Sequence, residues 1–148
     1  MAGKVEEELR RLSVELQILE QTAEAIQSRL NMVNAVITDL NYANITLEGL
    51  EKQKENAELL IPIGGSSYIK AKLETSEKVT VGIGAGVSVE KTMQEAKGII
   101  AKRLGDMEKH RASLQQQLSQ VMDRINQDRE RFEELAAELR KETPAKNV

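Results

Sequence analysis

The sequence lacks cysteine altogether and has only three aromatic residues, Tyr42, Tyr68 and Phe132. Without cysteine, disulfides and thiolate metal sites are excluded, and the composition is compatible with an intracellular protein. A compact core in a chain of 148 residues would normally use more large rings. Because 30% of the residues are also charged, the composition favours long helices over a globule.

Long apolar runs and clustered histidines are missing as well. No stretch approaches ~18 consecutive apolar residues, so nothing in the sequence predicts a membrane span. His110 is the only histidine, and without cysteine beside it a zinc site lacks its usual ligands. The net charge is −3, and the basic residues do not form a stripe along either long segment, so nucleic acid is a poor candidate partner. We therefore expect no metal, no membrane partner and no nucleic-acid partner.

The N-terminal segment, residues 1–58, carries a heptad pattern. Its apolar residues recur at alternating steps of four and three residues, without a break, from Val5 to Leu40. This spacing is typical of the seam of a left-handed coiled coil, which buries two positions in seven and needs a partner helix. Since a proline disfavours helix at the residue before it, we expect this helix to end shortly before Pro62.

The C-terminal segment, residues 90–142, repeats this rhythm from Ile100 to Leu139, with Arg111 and Asp128 as polar members of the seam. Two helices of about 50 residues would each be about 75 Å long. Because only a short segment joins them, we expect them to fold back as an antiparallel pair, although pairing between chains would give the same periodicity.

The ends of the second helix carry local signals. Thr92 and Glu95 form the pattern Thr-x-x-Glu, which predicts a capping box at its start. The dipeptide Thr143-Pro144 predicts its end, and we expect the tail, residues 143–148, to be disordered.

The middle segment, residues 59–89, alternates apolar and polar residues instead of repeating in heptads. Three stretches divide it into four short runs, which predicts four strands in two β-hairpins: Gly64-Gly65, Glu74 to Glu77, and Gly84 to Gly86. Isolated hairpins are marginally stable, and their unpaired edges invite pairing with other chains. We therefore expect an oligomer assembled through strands. The candidate oligomerisation residues are the apolar strand positions Ile61, Ile63, Ile69, Ala71, Leu73, Val79, Val81, Ile83, Val87 and Val89.

One glycine-rich stretch could pass for a phosphate loop. Gly82, Gly84 and Gly86 form G-x-G-x-G, but a dinucleotide fingerprint needs G-x-G-x-x-G followed directly by a helix. A hairpin turn explains these glycines better, since tight turns need positive φ. The acidic residues of the helices flank lysines and arginines at helical spacing, as on a solvated face. We therefore expect no catalytic site, no enzyme activity and no cofactor.

The connecting sequence is the most distinctive part of the chain. It contains Leu59-Leu60-Ile61-Pro62-Ile63-Gly64-Gly65 followed by Ser67-Tyr68-Ile69-Lys70-Ala71, and later Val81-Gly82-Ile83-Gly84-Ala85-Gly86-Val87-Ser88-Val89-Glu90-Lys91. These stretches resemble the two hairpins of the alpha-class subunit of prefoldin, of the archaeal type. The resemblance implies a mainly α fold with a small β part: a long antiparallel two-helix coiled coil whose two central hairpins join an oligomeric β-barrel platform.

The resemblance also implies a function. Prefoldin is a cytoplasmic, ATP-independent chaperone that holds unfolded client proteins and passes them to a group II chaperonin. Two alpha-class subunits would assemble with four beta-class subunits into a hexamer. Clients would be gripped at the far tips of the coiled coils, which would place client contacts at Val5, Leu9, Leu12, Leu16, Phe132, Leu135 and Leu139. A structural scaffold or filament subunit that self-assembles through its hairpins remains the alternative.

Overall fold

A computed structural model describes residues 2–142 of the chain, so the tail expected to be disordered lies outside the described residues. The elements, in chain order, are helix α1 (Ala2–Glu51), strands β1 (Glu58–Gly64), β2 (Ser67–Lys72), β3 (Lys78–Gly84) and β4 (Val87–Thr92), and helix α2 (Met93–Glu142). The predicted plan of two long helices around two antiparallel hairpins is confirmed. Two compact units are described separately below: the terminal unit, up to Asn34 and from Lys109, and the hairpin unit, Ala35–Glu108.

In the terminal unit, α1 and α2 run antiparallel within one chain. Ion pairs fix this direction, because Glu8 contacts Arg131 whereas Glu15, further along α1, contacts Arg124. The heptad positions form the seam as predicted, and the most deeply buried side chains are Leu114, Ile125 and Leu135. Apolar burial of this kind supplies most of the stability of paired helices, since isolated helices are marginal in water.

The hairpin unit has an apolar cluster of its own. Its buried members come from both helices and from one strand: Leu40, Leu47, Val81, Met93, Ala96 and Ile100. Outside the cluster, Arg103 of α2 donates a hydrogen bond to the carbonyl of Gly82 in β3, at 2.6 Å. The second hairpin is therefore held to the helices by both an apolar and a polar contact.

Both hairpins close through two-residue turns of the same form. In the first, Gly65 and Ser66 have φ of 57° and 58°, and in the second, Ala85 and Gly86 have φ of 51° and 74°. Positive φ at both central residues is the requirement of a type I′ turn, whose twist matches that of the flanking strands. The glycine-rich stretch is thus a hairpin turn.

A register shift precedes each turn. It lies between Pro62 and Gly64 in the first hairpin and between Gly82 and Gly84 in the second. The extra residue is an isoleucine in both cases, and Ile63 and Ile83 are exposed. Such bulges bend a strand and redirect side chains.

The element boundaries differ from the expected ones on both sides of the hairpins. Helix α1 ends at Glu51 rather than near residue 58, because the first hairpin extends beyond its strands. The amide of Asn56 donates to the carbonyl of Leu73 at 2.7 Å, and the amide of Leu73 donates to Ala57 at 2.9 Å. Asn56 also has φ of 64°, which a helix cannot continue through.

At the other boundary, residues 90–92 belong to β4 rather than to α2, because Lys91 and Thr92 pair with Val79 and Lys78. The predicted cap is present in part. The Thr92 hydroxyl accepts a hydrogen bond from the amide of Glu95 at 3.1 Å, and the Glu95 carboxylate lies 3.8 Å from Lys91.

Candidate functional site

The two helix ends of the terminal unit bring together most of the residues expected to contact clients. Val5, Leu12 and Leu135 are buried in one apolar cluster, and Leu9, Phe132 and Leu139 pack against it half-buried. We call these six residues the terminal cluster. Leu16, the seventh expected residue, is half-buried and lies outside it. Their binding of clients stays a prediction.

The terminal cluster is closed by its own side chains. Leu135 is only 2% exposed and Leu12 only 4%, so little of their surface is available to another molecule while the helices stay paired. The apolar side chains already exposed nearby are Val14 and Ile18, each 57% exposed. Together with Arg10 and Arg11 they line a shallow groove on the outer surface of α1.

Ion pairs join the two helices around the terminal cluster. Arg131 lies 3.3 Å from the carboxylate of Glu8, and Arg124 lies 2.8 Å from that of Glu15. Arg124 donates to Glu15 from both Nε and a terminal nitrogen, and this contact raises the pKa of its guanidinium. Exposed pairs of this kind contribute little to stability but fix the register of the helices.

Asp128 is the buried charged residue of the seam. It is 5% exposed, its Oδ1 lies 3.4 Å from Nε of Arg124, and its Oδ2 has no hydrogen-bond partner among the described residues. Burial raises the pKa of Asp128, and the nearby Glu15 charge raises it further against the opposing effect of Arg124. The heptad pattern identified Asp128 as a polar seam residue but did not reveal this network, because its partners depend on the antiparallel register.

The candidate oligomerisation residues divide by exposure. Val81 is buried inside the chain and Ala71, Leu73, Val79 and Val89 are half-buried, whereas Ile61, Ile63, Ile69, Ile83 and Val87 are exposed. Ile61 and Ile69 stand opposite each other in the first hairpin and so share one face. Val81 cannot contact another chain unless the apolar cluster of the hairpin unit opens. The role of all these residues in assembly stays a prediction.

The first hairpin also has an apolar surface that the alternation pattern did not reveal. Leu60 stands opposite Lys70, and Pro62 stands opposite Tyr68, on the face away from Ile61. Leu60 and Tyr68 are more than 60% exposed. Both faces of this hairpin therefore present apolar side chains, whereas the reverse face of the second hairpin carries Thr80, Gly82, Ser88 and Glu90.

The described residues, 2–142, contain no group of three or more histidine, cysteine or acidic side chains placed to hold a metal ion. Among the same residues, no helix combines the length and the apolar character that crossing a bilayer requires.

The strands of both hairpins have unpaired edges. Within the described part of the chain, β1 pairs only with β2, and β3 only with β4, so each strand has one free edge. Free edges and exposed isoleucines together form a surface suited to strand pairing.

The comparison with known proteins agrees with this geometry. A family model described as Prefoldin subunit matches residues 19–138. The chain belongs to the prefoldin family. It is 35% identical to the prefoldin subunit alpha of Methanopyrus kandleri, over 78% of this chain and 73% of the relative. It is 30% identical to that of Methanosarcina mazei, over 93% of this chain and 96% of the relative. The resemblance noted in the connecting sequence is thereby confirmed.

A solved structure supports the same fold. The chain is similar to filamentous prefoldin from Methanocaldococcus jannaschii, with a TM-score of 0.65 and 23% identity, over 75% of this chain and 92% of the other. Membership of the prefoldin family gives this chain a chaperone role within an oligomeric complex of prefoldin subunits. The family is one of non-enzymatic chaperones.

Proposed function

We propose that this prefoldin chain is the alpha-class subunit of a cytoplasmic hexamer, two alpha with four beta, that holds unfolded proteins without ATP. The subunit captures clients at the terminal cluster and its surroundings and hands them to a group II chaperonin. No step requires catalysis or a cofactor.

The terminal cluster is the observation that carries this proposal. It gathers six large apolar side chains at the ends of two helices, where paired helices fray most readily. Unfolded proteins expose apolar segments, and burying about 400 Å² of them would contribute up to about 10 kcal/mol before entropic costs. Several such ends on one platform would raise avidity without demanding a client sequence.

Assembly through the hairpins supports the multivalent arrangement. Ile61, Ile63 and Ile69 lie exposed beside the free edges of the first hairpin, and Ile83 and Val87 are exposed in the second. Beta-class subunits could cover these side chains and pair with the edges. The hairpin unit holds its own apolar cluster, so assembly does not depend on the terminal cluster.

Truncation separates holding from assembly. We expect a chain lacking residues 1–16 and 132–148 to assemble with beta-class subunits but to lose suppression of client aggregation. A chain lacking only residues 143–148 is the matched control and should hold clients normally. Full holding by the shorter chain, with assembly verified by light scattering, would contradict the assignment of clients to the terminal cluster.

The free strand edges also favour a second candidate, a scaffold or filament subunit that self-assembles through its hairpins. The exposed isoleucines on both hairpins suit pairing with another copy as well as pairing with a beta-class chain. Electron microscopy of the purified chain distinguishes the two. Long filaments formed without any partner would favour the scaffold.

A further inference from the structure

The seam next to the terminal cluster contains a charged residue where a coiled coil normally places an apolar one. Asp128 is the seam residue between Ile125, three residues before it and 2% exposed, and Phe132, four residues after it. A carboxylate at a seam position costs stability because it loses its hydration, unless partners replace the lost hydrogen bonds. Here the replacement is incomplete, since Oδ2 has no partner among the described residues.

The charged groups around Asp128 do not fully compensate its charge. From α2, Arg124 reaches Oδ1 at 3.4 Å, but the same guanidinium also binds Glu15 at 2.8 Å. From α1, Glu15 brings a second negative charge close to Asp128, and Arg11 contributes an opposing positive charge. One arginine is thus shared between two carboxylates, so the charge of Asp128 is only partly balanced within the seam.

We propose that Asp128, with Glu15 and Arg124, forms an opening point in the seam that allows the helix ends carrying the terminal cluster to separate and expose it. The apolar side chains that are buried in the closed state then become available for binding. Asp128 itself does not contact a client. It acts by controlling how often Leu12 and Leu135 become exposed. This inference rests on the proposed function only where it concerns client capture.

The sign of the pH effect follows from the environment of Asp128. Its pKa is raised in the folded chain by burial and by Glu15, so protonation is easier in the closed seam than in a separated one. A protonated Asp128 could also donate a hydrogen bond to Glu15. Protonation of Asp128 therefore stabilises the closed state; this contribution is fully present below the unfolded-state pKa and is lost as pH rises through the raised folded-state pKa. Asp128 therefore favours opening of the helix ends when its carboxylate is ionised.

The absence of native cysteine allows a direct measurement of opening. Spin labels on Glu7→Cys and Glu138→Cys, both exposed, report the distance between the helix ends in the full chain assembled with beta-class subunits. We expect Asp128→Leu to reduce the ratio of separated to closed ends at least about fivefold, because replacing a buried ion by an apolar residue is commonly stabilising. Asp128→Asn should reduce the dependence of this ratio on pH, because the variant has no carboxyl group at position 128 to take up a proton.

Asp123→Asn is the matched control, since Asp123 is an exposed acid on the same helix. It should leave both the distances and their pH response unchanged. An unchanged population of separated ends in Asp128→Leu, or an intact pH response in Asp128→Asn, would overturn the inference.

Client holding by the same labelled complexes separates this inference from the proposed function. If Asp128→Leu closes the ends and lowers client capture in parallel, both are supported. If the ends close while capture is unchanged, Asp128 still controls opening, and the assignment of clients to the terminal cluster is contradicted.

Discussion

Val81 of β3 and Ala96 of α2 lie in the same apolar cluster, with exposed fractions of 6% and 0%. Among the residues that the structure describes, Val81 is the one strand residue that is buried in this cluster. Because Ala96 is fully buried, little space is left for a larger side chain where the second hairpin and α2 share this cluster.

Enlarging that position should destabilise the hairpin unit. We expect Ala96→Leu to lower the free energy of unfolding by about 1–3 kcal/mol, because extra methylene groups in a packed core force neighbouring side chains out of their preferred rotamers. Urea unfolding followed by circular dichroism measures the change. Ala101→Leu, at an exposed position of the same helix, is the control and should leave stability nearly unchanged.

Charges on the exposed hairpin face should prevent assembly while the chain still folds. Ile61 and Ile69 are opposite each other and exposed, and neither belongs to the buried cluster of the hairpin unit, so replacing both by lysine removes their cross-strand contact but leaves that cluster intact. We expect the double variant to remain smaller than the wild-type complex by light scattering coupled to chromatography. Thr80→Lys, on the polar face of the second hairpin, should assemble normally. A wild-type mass for the Ile61 and Ile69 variant would argue against assembly through this face.

The exposed groove on α1 gives a test that leaves the seam intact. Replacing Val14 and Ile18 by serine should weaken client holding, because both side chains are exposed beside the terminal cluster and add apolar surface to it. Thermal unfolding should change little, since neither residue is buried. Met32→Ser, also exposed on α1, is the control for a general loss of apolar surface. Equal holding by both variants would show that the groove has no special role.

Acid should weaken the contact at the base of the hairpins. The Lys97 ammonium lies 2.7 Å from the Glu51 carboxylate and donates a hydrogen bond that lowers the pKa of Glu51. A lowered folded-state pKa means that the stabilisation is present above the unfolded-state pKa and is lost as pH falls through the folded value. We expect Glu51→Gln to reduce the loss of stability on acidification slightly, because the group is solvent-exposed. Glu55→Gln, at an exposed position beyond the end of α1, is the matched control in the same unfolding series.

The helices could be predicted from the sequence because heptad spacing and paired burial express the same geometry. The end of α1 could not, since residues 52–57 contain neither proline nor glycine to mark it. Its position follows from the hydrogen bonds between Leu73 and the residues at 56 and 57, which depend on the hairpin register. The hydrogen bond from the Glu95 amide to the Thr92 hydroxyl was predicted from the sequence. The ion pair of the Glu95 carboxylate with Lys91, at 3.8 Å, was not.

For the terminal cluster, the sequence predicted which residues come together but not how far they are buried. Once the two seams are taken as antiparallel, Val5 lies near Leu139, and six of the seven expected residues fall in the terminal cluster, while Leu16 lies outside it. The closure of the cluster does not follow from the heptads, because heptads specify which positions face a partner and not how completely they are covered. The role of Asp128 depends on a cross-helix carboxylate, Glu15, whose approach is fixed only by the register of the folded pair.

Light scattering of a chemically unfolded client tests the central claim most directly. The client is diluted into nucleotide-free buffer with this chain and a beta-class partner. Holding without ATP predicts that scattering is suppressed at a near-stoichiometric amount of the complex. Unchanged scattering, with assembly confirmed on the same sample, would contradict the chaperone account and favour the scaffold.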